Sequence, residues 1–244
     1  MNWNIFFCKS IYFEYIYNFI YQYLNNQRFK LQTINVNMRI AIILSLLFFL
    51  QSCGNKKIET KNENGQVLEV FYVNKNGEKD GNYTAYFESG KIKEESKYSS
   101  GILTGKRTLY FETGKIEIEE LYSEQGMLNG PYKLYYPSGT LKLEKTYVDN
   151  MIEGEIKVYY PSGKLKEEVS MSDNEENGPF TEFYENGKIH WKGTYRNGDN
   201  EYGVLYEYDS LGAPIKIMKC DTLAICRTVW KPGMPEINVD TIKI

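Results

Sequence analysis

A glycine-centred pattern recurs through most of this chain at a nearly constant spacing. In one copy, Gly154 is followed five positions on by an aromatic residue, Tyr159, and nine positions on by a second glycine, Gly163. Steps of 24, 25, 24, 24 and 25 residues separate the leading glycines Gly81, Gly105, Gly130, Gly154, Gly178 and Gly203. A period of this size is typical of a stacked array, in which each repeat contacts mainly its neighbours.

Each copy has the composition of a β-hairpin. Two stretches rich in aromatic and β-branched residues flank a Ser-Gly, Thr-Gly or Asn-Gly pair, as in Gly81–Phe87 and Ile92–Tyr98. A two-residue Ser89–Gly90 turn would place Phe87 opposite Ile92 and Glu88 opposite Lys91. The leading glycines are expected where one hairpin crosses to the next. The sequence therefore predicts an all-β fold, an elongated antiparallel sheet of stacked β-hairpin repeats of 24 to 25 residues over residues 65–215.

Alternation along the strands separates two faces of this sheet. One face collects apolar residues, and the other carries Lys and Glu together with one aromatic ring per repeat. The rings of this mixed face are Tyr86, Tyr110, Tyr135, Tyr159, Phe183 and Tyr208. We predict that they line a surface for a binding partner, because rigid rings with a polar tip are enriched at interfaces. The alternative is that they only cover the sheet.

The first 37 residues do not resemble a globular segment. Residues 1–37 contain eleven aromatic side chains and no Gly, Ala, Pro or Asp. The dominant residue types have codons rich in A and T, which favours a non-native upstream extension translated from a start assigned too early. An aromatic amphipathic helix is the alternative.

A targeting signal follows from Met38. Residues 38–52 combine a short basic start, an apolar stretch too short to span a membrane, and Leu50-Gln51-Ser52 before Cys53. This ending resembles the lipobox of bacterial lipoproteins, which directs lipid attachment to the cysteine. The resemblance implies a lipoprotein signal peptide, a lipidated Cys53 and a membrane contact through that lipid; an ordinary secretory signal and an uncleaved anchor remain alternatives. Residues 53–64 are expected to form a flexible tether.

The charge balance argues against nucleic acid. The whole chain has 29 basic and 32 acidic residues, and a formal net charge of -3. Removal of residues 1–52 takes away four basic residues and one acid, which leaves 25 basic against 31 acidic residues and a net charge of -6. Nucleic-acid binding requires clustered Lys and Arg, so we expect no such partner.

Catalytic and metal-binding constellations are not apparent. His190 is the only histidine in the sequence, and hairpin pairing predicts it opposite Phe183 as a surface or packing residue. Acidic residues recur at equivalent repeat positions, as on a solvated strand face. We therefore expect no catalytic residues, no metal, no cofactor and no enzymatic activity.

Two cysteines follow the last repeat. Cys220 and Cys226 belong to stretches that read as two strands, so a disulfide between them would close a C-terminal capping hairpin within residues 216–244. Free thiols with a redox or metal role are the alternative, although the CxxC spacing is missing.

The leading glycine, the central tyrosine and the Ser-Gly or Asn-Gly turn resemble the MORN-like repeats in their bacterial variant, over about residues 60–215. Members of this variant are often described as antitoxin components of the YwqK type. The wider group is associated with scaffolding, protein contacts and lipid-proximal sites. A lipid-anchored chain would differ from a cytosolic antitoxin in its location, because the anchor would place it across the inner membrane from a cytosolic toxin.

These observations favour a lipid-anchored binding or scaffold protein of the bacterial cell envelope, on the periplasmic or outer-membrane side. Its repeat surface would contact a protein partner or an envelope polymer. An antitoxin or immunity protein with a toxin as partner is the alternative, and an envelope hydrolase is a more distant one.

Overall fold

The computed structural model describes residues 54–241, and these form one open sheet of 15 antiparallel strands in sequential order. The sheet belongs to the unit Lys56–Ile244, one of two into which the chain divides. The strands are β1 (Lys56–Lys61), β2 (Val67–Val73), β3 (Lys79–Tyr86), β4 (Ile92–Ser99), β5 (Ile102–Tyr110), β6 (Ile116–Tyr122), β7 (Gly130–Tyr135), β8 (Leu141–Val148), β9 (Met151–Tyr159), β10 (Leu165–Ser172), β11 (Glu175–Phe183), β12 (Ile189–Tyr195), β13 (Gly203–Tyr208), β14 (Pro214–Cys220) and β15 (Cys226–Trp230).

The predicted fold class is confirmed. Every strand pairs with the strand before and after it in the chain, so the sheet is a series of hairpins. The described residues contain no α-helix, and Val239–Thr241 forms one turn of 3-10 helix. No helix within residues 54–241 is long and apolar enough to cross a membrane.

The sheet begins earlier than the sequence predicts. Residues 53–64 are expected to be a tether, but Lys56–Lys61 forms strand β1. Ile58 pairs with Phe71 of β2, and the Asn62–Gly65 turn closes the hairpin. Strand β1 forms because its short alternating sequence can add to the edge of an existing sheet.

The hairpin turns within the repeats differ from the predicted two-residue type. In the first of them, the Phe87 amide donates to the Lys91 carbonyl and the Gly90 amide donates to the Phe87 carbonyl, both at 2.8 Å. Three residues therefore form the loop, and Tyr86, not Phe87, pairs with Ile92. The predicted pairings of Phe87 with Ile92 and of Glu88 with Lys91 are wrong by one residue. The same hydrogen bonds recur at Phe111, Tyr136, Tyr160, Tyr184 and Asp209.

Gly81, Gly105, Gly154 and Gly178 lie inside strands, not where one hairpin crosses to the next, whereas Gly130 and Gly203 are the first residues of β7 and β13, directly after such a crossing. Around Gly178, three residues of β11 oppose Ser170 alone on β10, which makes a local bulge. Gly178 has a φ of 123°, and an added Cβ would lie 3.0 Å from the Ser170 Cβ. Glycine is required here by both the backbone conformation and the close approach of the neighbouring strand.

The face that collects Tyr83, Phe180 and Leu205, called the packed face below, holds most of the buried residues. Its apolar core lies in the C-terminal half and comprises Val169, Met171, Phe180, Leu205 and Cys220, of which Leu205 is 0% exposed. Phe180 stacks on Tyr195 with ring centroids 4.2 Å apart. These side chains come from neighbouring hairpins, so the core forms only when the repeats stack.

A ladder of tyrosines also joins successive repeats. The hydroxyls of Tyr136, Tyr160 and Tyr184 each donate to a backbone carbonyl one repeat further on, at 2.8, 2.7 and 2.9 Å. The acceptors are the carbonyls of Tyr159, Phe183 and Tyr208. Each bond fixes the turn of one hairpin to the end of a strand in the next.

Candidate binding surface

The six predicted rings occupy the same place in six successive hairpins. Each is the last residue of an odd-numbered strand, from β3 to β13, and each ring is half-buried. They lie on the face opposite the packed face, called the mixed face. The structure therefore brings together Tyr86, Tyr110, Tyr135, Tyr159, Phe183 and Tyr208 as one row. Because two strands separate successive rings, their spacing is roughly 10 Å.

Three tyrosines of the row are each bound to a glutamate one repeat upstream. The Tyr110 hydroxyl donates to Glu95 at 2.6 Å, and the Tyr135 hydroxyl donates to Glu119 at 2.7 Å. The Tyr159 hydroxyl donates to Glu144 at 2.5 Å. A hydroxyl bound to a carboxylate makes a strong, charge-assisted bond. These bonds fix the ring orientation of three neighbouring repeats in the same way.

Electrostatics of the row agree with this geometry. The hydrogen bond to Glu95 raises the pKa of Tyr110 to about 12. Burial, followed by the bond to Glu119, raises the pKa of Tyr135 to about 12. The Lys106 ammonium and then the Tyr135 hydroxyl lower the pKa of Glu119. The tyrosines therefore remain protonated donors, and the glutamate remains an ionised acceptor, at neutral pH.

The ends of the row have different chemistry. Phe183 has no hydroxyl, and Tyr208 lies with its ring centroid 5.7 Å from the Lys192 ammonium. Tyr86 belongs to the first repeat. There, Val70 lies opposite Thr84, at the position that Glu95 occupies opposite Thr108 in the next repeat. The tyrosine–glutamate arrangement is thus found in the central repeats.

An open depression of about 400 Å³ lies beside the central part of the row. Lys133, Glu144 and Lys157 contribute to its lining. Lys133 and Lys157 both pair with Glu144 across the strands, so the glutamate that holds Tyr159 also forms part of the depression. Charge of both signs and an aromatic ring are therefore presented together.

Five segments of the chain match a family model described as "MORN repeat variant": residues 79–99, 103–124, 128–149, 152–173 and 176–197. Residues 79–197 hold five MORN repeats of the variant type. Each matched segment contains one of the leading glycines from Gly81 to Gly178. Strands β1 and β2, and β13 to β15, continue the sheet beyond the matched repeats.

Other comparisons add little. No curated protein matches the chain. Among solved structures, the chain is similar to one titled "Crystal Structure of TarM", with 9% identity and a TM-score of 0.22. The match covers 75% of this chain and 27% of that one, so the chain spans about a quarter of its length.

The glutamates that hold the tyrosines were not predicted from the sequence. Their own spacing could have identified them, because Glu95, Glu119, Glu144 and Glu168 recur at the repeat period. By composition alone they resemble the solvated charges of a strand face. Tyrosine and acceptor are 15 or 16 residues apart, and only the strand register shows that they meet.

The packed face was predicted to be apolar, but in the first MORN repeats it also contains charged side chains. The Arg107 Nε atom lies 2.8 Å from Glu94 Oε1, and its Nη1 atom lies 2.9 Å from Glu120 Oε1. The Glu120 side chain is 8% exposed. One guanidinium therefore bridges two carboxylates on the neighbouring strands.

His190 does not lie opposite Phe183 as predicted. Phe183 pairs with Ile189 and Glu182 pairs with Trp191, which leaves His190 as the extra residue of a bulge. Its ring centroid lies 4.4 Å from that of Tyr184, and its Nδ1 atom lies 3.5 Å from Glu182 Oε2. The three-residue loop causes this difference, because it shifts the register by one position.

The predicted cysteine sites fall in two places. Cys220 of β14 pairs with Cys226 of β15, and a disulfide joins their sulfur atoms. The hairpin that they close is the last one of the sheet. Cys53, the predicted lipidation site, lies outside the described residues.

Proposed function

We propose that this protein is a lipid-anchored, non-catalytic scaffold of the bacterial envelope, and that the mixed face of its MORN repeats binds a protein partner. The observation that carries the proposal is the series of tyrosines, each bound to a glutamate one repeat upstream. Repeat proteins commonly use such extended surfaces for binding.

The ring geometry suits this role. Holding a flexible side chain at an interface costs about 0.5–1.5 kcal/mol per side chain on binding. The bonds of Tyr135 to Glu119 and of Tyr159 to Glu144 already hold these two rings in the free protein. Both rings remain half-buried and so present apolar area with a polar tip. A partner would therefore meet a surface that is already ordered.

The proposed anchor would keep the first strand of the sheet close to the membrane. Strand β1 begins at Lys56, so Gly54 and Asn55 are the only residues between it and Cys53. A chain extends at most by about 3.6 Å per residue, which gives a tether of roughly 10 Å. A lipid on Cys53 would thus hold the first strand within about 10 Å of the membrane surface.

The test compares two double variants of the lipidated chain as baits for envelope extracts. Tyr135→Ala with Tyr159→Ala removes both rings, whereas Tyr135→Phe with Tyr159→Phe keeps the rings and removes only the hydroxyls. We expect the Ala pair to lose at least about tenfold in partner recovery, since two aromatic contacts contribute on the order of 1 kcal/mol each. The Phe pair should retain most of it.

A Tyr83→Phe variant is the control for general damage to the sheet, because Tyr83 lies on the packed face and bonds Glu69. Circular dichroism must show that all variants keep their strand content. Unchanged recovery with the folded Ala pair would contradict the proposal and direct attention to the loops before the leading glycines. Recovery of a toxin as the partner would assign the immunity form of the same binding role.

A further inference from the structure

Three potential metal ligands meet at the C-terminal end of the sheet. Glu201 bridges to Tyr195 just before strand β13, and Gly203 of that strand pairs with Cys220 of β14. Cys220 in turn pairs with Cys226 of β15. The Glu201 carboxylate oxygen and the two sulfur atoms all lie within 4.8 Å of one another. The three ligands thus come from segments of backbone that are paired to each other.

The distance between Glu201 and Cys226 fits a shared metal ion. The Glu201 Oε2 atom lies 3.4 Å from the Cys226 Sγ atom. In the disulfide, this sulfur has no proton to donate, so the contact is not a hydrogen bond. A tetrahedral Zn²⁺ with an oxygen at about 2.0 Å and a sulfur at about 2.3 Å places these two ligands roughly 3.5 Å apart. The observed separation is therefore compatible with two ligands of one zinc ion.

We propose that reduction of the Cys220–Cys226 disulfide converts this cluster into a Zn²⁺ site. A dithiol reductant supplies two electrons and two protons: its own sulfurs form a disulfide, and Cys220 and Cys226 become thiols. Binding of Zn²⁺ then releases both thiol protons, because thiolate is the ligand form. Two thiolates and the Glu201 carboxylate fill three positions, and water fills the fourth.

The surroundings allow such a site to form. The two sulfur atoms need to move apart, to roughly 3.8 Å for a tetrahedral ion. The Cα atoms of the two cysteines lie 3.9 Å apart, so rotation of the side chains can achieve this separation without moving the strands. A depression of about 260 Å³ is lined by Glu201 and by Asp221 and Ala224 of the connecting loop. It brings solvent to the Glu201 side of the cluster.

Zinc would then replace the disulfide as the link between the last two strands. Under oxidising conditions the hairpin is closed by the sulfur–sulfur bond, and under reducing conditions by the metal. The site is independent of the tyrosine row, which lies on the other face of the sheet.

The test uses Co²⁺ as a spectroscopic substitute for Zn²⁺ with the full chain in mild detergent. Cys8 and Cys53 are replaced by Ser in every sample, so that Cys220 and Cys226 are the only cysteines. After reduction with a phosphine and its removal without oxygen, we expect one Co²⁺ per chain. A sulfur-to-cobalt charge-transfer band and tetrahedral d–d bands should appear, and Zn²⁺ should abolish both. The oxidised chain should show neither band.

Two variants assign the ligands, and a third, Asp199→Asn, is the control. Glu201→Gln leaves the disulfide intact and should weaken Co²⁺ binding by the reduced chain by at least roughly tenfold. Asp199→Asn changes an exposed carboxylate two residues away and should leave binding unchanged. Cys226→Ser should remove the charge-transfer band or halve its intensity.

Any of three metal-binding results would overturn the proposal: no Co²⁺ binding by the reduced chain, equal binding by the oxidised chain, or binding that is unaffected by Glu201→Gln. Circular dichroism of the reduced, metal-free chain follows the fold. If the strand signal is lost on reduction and Zn²⁺ does not restore it, the proposal also fails.

Discussion

Glu167 and Glu182 lie directly opposite each other on strands β10 and β11. Like charges in opposed positions of an antiparallel pair destabilise the sheet. Burial, followed by repulsion from Glu182 and Glu176, raises the pKa of Glu167, and Lys166 opposes this only in part. The pair therefore lowers the stability of the packed face at neutral pH.

Glu167→Gln should stabilise the protein at pH 7. The pKa of Glu167 is higher in the folded protein than in the unfolded chain, where it is near 4.5. Such a carboxyl stabilises the fold below pH 4.5, and this stabilisation is lost as the pH rises through the pKa of the folded state. Removal of the charge should raise the free energy of unfolding at pH 7 by about 0.5–1 kcal/mol, and by much less at pH 4. Urea denaturation at both pH values measures the difference.

Glu168→Gln is the matched control for this prediction. Glu168 lies on the mixed face opposite Lys157 and Thr181, so it has no opposed carboxylate. Its replacement should leave the stability unchanged or lower it slightly. An equal gain from both variants would show that overall net charge, and not the Glu167–Glu182 pair, is responsible.

Among the charged residues of the packed face, Arg107 should contribute most to the free energy of unfolding. Removing one partner of a fully buried ion pair costs about 3–5 kcal/mol. Because the Arg107 side chain is 28% exposed, we expect Arg107→Ala to lower the free energy of unfolding by about 2 kcal/mol. Arg107→Lys should recover only part of this, since a single ammonium cannot bond Glu94 and Glu120 with the geometry of a guanidinium.

The control for Arg107 is its neighbour. Lys106 bonds Glu119 on the mixed face, and its side chain is 60% exposed. Exposed ion pairs contribute about 0–1 kcal/mol, so Lys106→Ala should have a small effect. A similar loss in Lys106→Ala and Arg107→Ala would mean that the packed-face network adds no stability of its own.

The tyrosine ladder allows a gain of stability by a single substitution. Tyr160 donates to the Phe183 carbonyl at 2.7 Å, whereas Phe111, at the equivalent position of an earlier repeat, has no hydroxyl. Phe111→Tyr should add the bond to the Tyr135 carbonyl and raise the free energy of unfolding by about 0.5–1 kcal/mol. Tyr160→Phe should lower it by a similar amount. Urea denaturation should therefore give changes of opposite sign in the free energy of unfolding for the two variants. A lower free energy of unfolding in Phe111→Tyr would show that the hydroxyl does not fit there.

The repeat spacing was sufficient to predict the hairpin series and the face on which each ring lies. It was insufficient for the register of the turns. The favoured two-residue turns need a positive φ at the first central residue or at both, but at Ser89–Gly90 only the second residue, Gly90, has it, with a φ of 79°. Genuine two-residue turns occur at the opposite edge, where Asp149 and Asn150 have φ values of 50° and 70° without any glycine.

The contacts between side chains also could not be predicted from the sequence. Arg107 looks like any exposed strand cation in the sequence, and its position between Glu94 and Glu120 depends on a bulge. The bulge arises because three residues around Gly105 oppose a single one, and it decides which side chains become neighbours. Spacing alone does not show how many residues a bulge holds.

The processing of the N-terminus gives the last prediction. Mature protein isolated from cells should begin at Cys53 and carry lipid on it, because residues 38–52 have the form of a lipoprotein signal. Two acyl chains give stable membrane binding where one is marginal, so the protein should sediment with membranes. Mass spectrometry of the N-terminal peptide measures the lipid, and Cys53→Ser should release the protein into the soluble fraction. Detection of peptides from residues 1–37 in the mature protein, or of an unmodified Cys53 in membrane-bound protein, would contradict the prediction.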